Sequence, residues 1–353
     1  MNSLIKELTG QLVDAAASGR QLCIRGGGSK CFYGGAEQGE LLDLSRHRGI
    51  VAYEPTELVV SVRSGTPLAE LQATLAEKGQ CLPFEPPHFG PGATVGGMVA
   101  SGLSGPRRPA VGAVRDFVLG VKLLDGKGEL LSFGGQVMKN VAGYDVPRLM
   151  TGSMGTLGVL TEVSLKVLPV PVAEKTLRFS MSESAVLEKL NQWGGQPLPI
   201  SGSAWSDGVL TLRLSGAAAA VSAAQRSLGG EVVADADAFW ATLREQTQGF
   251  FNGDAPLWRL SVPSVAPVLN LGPTLVEWGG ALRWLRGGDP AAIRAIAEQA
   301  GGHATLFRAD AALKASVGVF QPLSTPLARI HRNLKHAFDP HGVFNPGRMY
   351  PDF

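Results

Sequence analysis

The spacing of apolar positions changes twice along the chain. In the first nineteen residues Leu4, Ile5, Leu8, Leu12 and Val13 recur at helical intervals, which predicts an amphipathic helix. From residue 21 to 170 the pattern becomes short β-type runs broken by glycine. Gln21–Ile24, Leu58–Val62 and Val159–Val167 read as strands. Phe117–Leu124 and Glu129–Phe133 read as a hairpin whose Asp125-Gly126-Lys127-Gly128 turn supplies positive φ. Pro67 opens a helix over Leu68–Lys78, and Gly79 caps it. Beyond Pro169-Val-Pro171 the glycines thin out. Helices are expected over Ser182–Trp193, Gly216–Leu228 and Pro290–Ala300, strands over Val209–Leu214, Leu257–Val262 and Ala281–Leu285, and a last helix over Pro326–Phe338. The proline pair is the best boundary in the chain. The expected division is a domain over 1–170, an α+β domain over 171–320 and a C-terminal helix and tail over 321–353.

Composition narrows the class. The 353 residues are 44% hydrophobic and 18% charged, as in ordinary globular proteins. That length suits about two domains. A net charge of +2 gives no electrostatic case for nucleic acid. No window approaches the roughly 18 apolar residues of a membrane span, so membrane contact is expected only peripherally or through partners. Cys23, Cys31 and Cys81 form no CxxC pair, no iron–sulfur run and no disulfide framework, which points to the cytoplasm.

The chemistry sits in the glycine loops. Arg25-Gly-Gly-Gly-Ser-Lys30 offers consecutive small residues whose N–H groups could form an anion nest; a plain tight turn is the alternative. Thr94-Val-Gly-Gly-Met-Val-Ala-Ser-Gly102 reads as the start of a short helix with no bulk in its first turn. A pyrophosphate could approach such a backbone closely, although close packing on a sheet would ask for the same glycines. Gly152-Ser-Met-Gly-Thr-Leu-Gly158 repeats the arrangement before a strand. Neither the G-x-G-x-x-G fingerprint nor the Walker pattern is present. Several bare loops suit one extended, multiply charged ligand better than a single phosphate.

In their order, RGGGSK, PGATVGGMVASG, RDFVLGVKLLDGKG and GSMGTLGVLTEVSLKVLP resemble the FAD-binding domain of the vanillyl-alcohol-oxidase (PCMH-type) flavoproteins. The resemblance implies an α+β chain: a PCMH-type FAD-binding domain, a smaller α+β cap domain, and a C-terminal segment returning to the first. It implies that Arg25, Gly26, Gly27, Gly28, Ser29 and Lys30 hold the FAD pyrophosphate, and that Thr94, Gly96, Gly97, Ser101 and Gly102 complete the loop. Asp116 would lie at the turn into the hairpin, Gly158 and Val159 at the adenine side, and Asn345 and Arg348 near the flavin. Covalent relatives carry a His in the first loop. Ser29 and Lys30 stand there instead, so non-covalent FAD is expected.

Further segments (EPPHFGPGATVGGMVASGLSGPRRP, WGGALRWL and HGVFNPGRMYPDF) resemble members of this family that serve in glycolate-oxidising complexes. They imply a second flavoprotein subunit and an iron–sulfur subunit as partners, and a small 2-hydroxy acid as the substrate of the complex. A free-standing FAD-dependent 2-hydroxy-acid dehydrogenase of the D-lactate type is the alternative, and a flavin-free scaffold a third reading. No catalytic residue can be named. Arg107, Arg108 and Arg348 are candidate cations for a carboxylate and His88 a candidate proton-transfer group; each could equally be a salt bridge or a solvated turn. Tyr144 is expected to pack. No metal site is expected, because His303 stands alone and His331 and His336 lie about 140° apart on a helix. Substrate oxidation is then expected mainly on the partner flavoprotein.

Overall fold

The N-terminal helix spans Ser3–Ser18 and buries Ile5, Leu8, Leu12 and Ala15, one face at three- and four-residue spacing. The computed structural model that shows this describes residues 3–135 and 144–352. Residues 136–143, part of the glycine-rich stretch, lie outside the described residues. The helix packs on Leu22 and Leu42 of a two-stranded parallel pair, Leu22–Arg25 and Glu40–Asp43.

A five-stranded antiparallel sheet follows, in the order Ile50–Glu54, Val59–Arg63, Val159–Lys166, Val118–Leu124 and Leu130–Gly134. The helices Leu68–Ala76 and Val95–Ser101 bury Leu68, Leu71, Leu75, Met98 and Val99 in the same core as Val60, Val62 and Val163. The expected hairpin forms, with one difference. Positive φ falls on Gly128 (80°) and not on Gly126. Asp125 Oδ1 accepts hydrogen bonds from the N–H groups of Lys127 (3.0 Å) and Glu129 (2.9 Å), closing an Asx-type turn. Gly126 is required for a different reason: a Cβ there would lie 2.7 Å from Asp339 Cα.

The strand Ala173–Ser180 then enters an eight-stranded antiparallel sheet. Its edges are Glu231–Val233 and His303–Arg308, and its interior strands are Val209–Gly216, Ile200–Ser206, Thr274–Glu277, Leu282–Arg286 and Leu257–Ser261. The helices Glu183–Gly194, Ala218–Leu228 and Pro290–Gln299 cover it, burying Val186, Leu190, Val221 and Ile293. Fold-class expectation and structure agree on separate helix and sheet layers.

Side chains from the part of the chain that builds this sheet hold the segments on either side of the helix Val95–Ser101. Trp278 Nε1 donates to the Gly105 carbonyl at 3.1 Å. The Glu245 carboxylate accepts from the N–H groups of His88 (3.0 Å) and Phe89 (2.8 Å). Arg213 pairs with Glu85 at 2.8 Å, and Arg107 bridges Glu85 and Glu174. The last helix, Thr325–Phe338, packs Leu334 and Phe338 against the core of the five-stranded sheet. There the buried Lys335 ammonium donates to Asp339 Oδ2 (2.7 Å), the Phe344 carbonyl (2.8 Å) and the Thr156 carbonyl (2.9 Å). Among the described residues no helix is long and apolar enough to cross a membrane.

Candidate functional site

The site starts at the free edge of the strand Leu22–Arg25. The C-terminal tail continues that edge: Leu22 N–H donates to the Val343 carbonyl at 2.8 Å and Asn345 N–H to the Leu22 carbonyl at 2.9 Å. One step on, Asn345 replaces backbone with side chain. Its Oδ1 accepts from Ile24 N–H at 2.7 Å and its Nδ2 donates to the Met154 carbonyl at 2.7 Å. Past Arg25 the pairing stops. Among the described residues, none accepts from the backbone N–H groups of Gly26, Gly27, Gly28, Ser29 or Lys30.

The reason lies behind the loop, where cations claim the carbonyls of the next residues. Arg348 donates to the carbonyls of Tyr33 (2.6 Å), Cys31 (3.3 Å) and Gly35, and Lys314 donates to those of Phe32 and Gly34. With residues 31–35 anchored from behind, the preceding residues 26–30 line a cavity of about 90 Å³. Ser29, Lys30, Thr94, Gly97 and Ser101 line it together with Asn345 and Arg348.

The second glycine loop meets the first at backbone contact. A Cβ on Gly27 would sit 1.3 Å from the Gly92 carbonyl oxygen, and one on Gly26 would sit 2.3 Å from Thr94 Oγ1. Thr94 caps the helix Val95–Ser101 by accepting from Gly97 N–H at 3.3 Å. Gly96 turns toward the sheet, where its N–H donates to the Ser64 carbonyl at 2.7 Å. A further cavity of about 70 Å³ shares Gly26, Thr94, Gly97 and Asn345 with the first and adds Leu44, Ser64, Gly96, Gly155, Gly158 and Leu160. The two form one groove, polar at the Arg25–Lys30 end and apolar at the Leu44–Leu160 end.

The residues present fit a long anionic ligand such as FAD. Buried polar atoms normally find partners, yet Arg25 Nε and Ser64 Oγ, both in the lining, have none. Burial pushes the Lys30 ammonium down to about 8, with the Glu245 carboxylate pulling the other way. Its donors reach only neutral oxygens, the His88 carbonyl (3.1 Å) and Ser29 Oγ (3.3 Å). A phosphate group would supply the missing counter-charge. Arg25 is tied to Glu37 at 2.5 Å, which raises its pKa further. Desolvation opposes ionisation of Glu37, but hydrogen bonds from Cys31 and Arg25 win and hold its pKa below the usual range. Burial pushes the Cys31 thiol up to about 11, so it carries no thiolate at neutral pH.

Of the expected site residues, Arg25, Gly26, Gly27, Gly28, Ser29, Lys30, Thr94, Gly96, Gly97, Ser101 and Gly158 come together along the groove. Gly102, Asp116 and Val159 stand elsewhere. Gly102 is the left-handed C-cap of the short helix, against Gly152. Asp116 accepts from Ala113 N–H at 2.8 Å. Val159 is fully buried in the core beside Leu8 and Leu12. Ala100, Met154 and Gly155 line the groove from within the glycine stretches Thr94–Gly102 and Gly152–Gly158, whereas Leu44 and Ser64 line it without having been marked in the sequence. Only the Ser64-Gly65-Thr66 break after a strand offers a signal for one of them.

Among the candidate cations, Arg107 is consumed by Glu85 and Glu174, and Arg108 stacks 4.3 Å from the Trp278 ring centroid. His88 hydrogen-bonds Gln72 at 2.8 Å and lines neither cavity. Tyr144 is 93% exposed, so the expectation that it packs is not met among the described residues. Among the described residues no group of His, Cys, Asp and Glu is placed to hold a metal ion.

The chain matches the model of the FAD binding domain family over residues 5–134. It is 52% identical to glycolate oxidase subunit GlcE of Escherichia coli (strain K12) over 344 residues, covering 97% of this chain and 96% of that one. It is 33% identical to glycolate oxidase subunit GlcD of Bacillus subtilis (strain 168) over 161 residues, covering 45% of this chain and 32% of that one. Among solved structures an alkyldihydroxyacetonephosphate synthase superposes with a TM-score of 0.67 at 16% identity, over 97% of this chain and 74% of that one. This last likeness concerns the fold.

Proposed function

Given that the chain belongs to the FAD-binding flavoprotein family that includes glycolate oxidase subunit GlcE, we propose that it is the FAD-holding subunit of a complex that oxidises glycolate to glyoxylate. The observation that carries this reading is likeness along the whole chain, 52% identity over 97% of its length. The second flavoprotein of the complex corresponds to a GlcD-type subunit, and an iron–sulfur subunit takes the electrons onward. The complex works in the cytoplasm, and any contact with the inner membrane is peripheral or made through the partners.

FAD supplies, when bound, the acceptor for the two electrons lost as a hydroxyl becomes a carbonyl. This chain's residues supply the setting. The unpaired N–H groups of Gly26–Lys30 and the Lys30 ammonium bind the pyrophosphate. Gly97 leaves room for its approach, and Ser64 Oγ and Arg25 Nε find acceptors on the ligand. Gly158 and Leu160 wall the apolar end. Asn345 and Arg348 fix the loop from the C-terminal side, so the tail belongs to the site. We assign Asp116, Val159 and Gly102 a supporting part, setting the backbone around the groove without lining it.

The test is glycolate-dependent dye reduction by the purified chain, alone and with its two partner subunits. Little activity alone and full activity on reconstitution are expected. Full activity from the chain alone would contradict the subunit reading, and an inactive reconstituted complex would contradict the glycolate reading.

A further inference from the structure

A carboxylate lines the cavity that the first glycine loop shapes for an anion. Among the described residues Glu37 is the one acidic side chain in that lining, against the cations Arg25, Lys30 and Arg348. A pyrophosphate brings further negative charge into the same space of about 90 Å³. Like charges at such close quarters repel, and the more so where water is scarce.

The bond between Glu37 and Arg25 is incomplete. Glu37 Oε2 accepts from Arg25 Nη2 at 2.5 Å. Arg25 Nε, on the same edge of the guanidinium, is buried and has no partner. A carboxylate that served only to fix an arginine would take both donors of that edge side-on, the pairing a planar guanidinium favours. The second donor therefore remains for another acceptor.

The backbone around Glu37 is lightly held. Gly35 N–H donates to the Arg348 carbonyl at 2.9 Å and Glu40 N–H to the Gln21 carbonyl at 2.8 Å. Between them, among the described residues, no backbone–backbone hydrogen bond fixes residues 36–38. The Glu37 side chain is 23% exposed, so water already reaches it. Its other partner is the neutral Cys31 thiol.

We propose that Glu37 is a stand-in for the phosphate of the ligand. In the empty groove it neutralises the partly buried Arg25. When FAD binds, the carboxylate gives way and the pyrophosphate takes the Nε–Nη2 edge of Arg25. Glu37 thereby stabilises the empty protein, weakens the hold on the cofactor and sets how readily non-covalent FAD exchanges. The inference rests on the FAD reading above.

Calorimetric titration of the apo-protein with FAD, and separately with ADP, tests it in the unaltered chain and in Glu37→Gln. The amide keeps the size of the side chain and removes its charge. Both ligands should bind the variant about tenfold more tightly, the scale of one hydrogen bond to a charged group. The apo form of the variant should unfold at lower urea concentration, and its FAD-loaded form at an unchanged one. A carboxylate that merely aims Arg25 at the phosphate gives the opposite sign, so weaker or unchanged binding overturns the proposal. A crystal structure of the unaltered chain with FAD decides it without any variant. Glu37 should then lie beyond hydrogen-bond reach of Arg25, and a surviving Arg25–Glu37 bond overturns the proposal. A chain that binds FAD with an affinity indifferent to Glu37 defeats this inference alone, whereas one that takes up no FAD defeats the function above as well.

Discussion

Replacing Gly97 by alanine separates what the groove needs from what the fold needs. Gly97 sits inside the helix Val95–Ser101, so a methyl group there should help the bare helix by about 0.5–1 kcal/mol. The added Cβ meets a single atom within 4 Å, Thr94 Oγ1 at 3.2 Å, and otherwise enters the space shared by both cavities. The apo-protein should therefore unfold at the same or slightly higher urea concentration. A ligand lying along that backbone meets the methyl directly, and such overpacking costs about 1–3 kcal/mol. That corresponds to a roughly 5- to 150-fold higher Kd for FAD, measured by titrating apo-protein into FAD and following flavin fluorescence. Gly96→Ala is the control. Its Cβ would lie 2.7 Å from Ser64 Cβ and 3.0 Å from the Ser64 carbonyl oxygen, so it should destabilise the apo-protein itself. Wild-type FAD affinity in Gly97→Ala, or an apo-protein as unstable as Gly96→Ala, would refute the reasoning.

With Lys30 on the pyrophosphate, as proposed, flavin binding should depend on pH. The Lys30 ammonium titrates near 8 in the free protein, and a bound anion raises that value, so the complex holds more protons than the free protein. FAD affinity should be flat below pH 8 and fall as pH rises above it, by up to about tenfold per unit. Lys30→Met should remove the slope, and a Kd independent of pH from 7 to 9.5 would contradict the assignment. The same shift has an opposite effect on the apo-protein. A lysine depressed from 10.5 to about 8 leaves the unfolded chain binding more protons in that interval, so apo stability should rise with pH across it. Asn345→Ala strands Ile24 N–H and the Met154 carbonyl and should lower unfolding free energy by about 2–4 kcal/mol; a loss under about 1 kcal/mol would mean the tail does not hold the first strand. Lys335→Met leaves the Asp339 carboxylate buried without its cation and should destabilise by about 3–5 kcal/mol in urea unfolding, while a near-neutral result would free the last helix from that role.

The groove is legible in the sequence because its demands are backbone demands, and glycine records them. What glycine does not record is which way each demand points. Gly26, Gly27 and Gly96 are required by neighbouring protein atoms, Thr94, Gly92 and Ser64, and Gly28 by its positive φ, whereas Gly97 opens toward the groove. Val159 shows the same limit. Strand alternation turns its side chain into the core while Gly158 borders the cavity. Asp116, in a motif that reads as ligand-facing, spends its carboxylate on a local turn. Arg107 reads as free until Glu174, 67 residues away, arrives beside it.

Among the strands, Ala173–Ser180 and Ile200–Ser206 carry too many polar and small residues to stand out as apolar runs, yet both become interior strands. Their status comes from neighbours paired at long range, which no local window contains.

We propose that this chain itself holds FAD without a covalent bond, in the groove between Arg25–Lys30 and Thr94–Ser101. Acid precipitation of the purified chain, followed by chromatography of the supernatant, tests it most directly. Close to one FAD per chain in the supernatant and a colourless pellet are expected. A chain that neither carries flavin nor takes up added FAD, or a pellet that keeps the flavin, would contradict it.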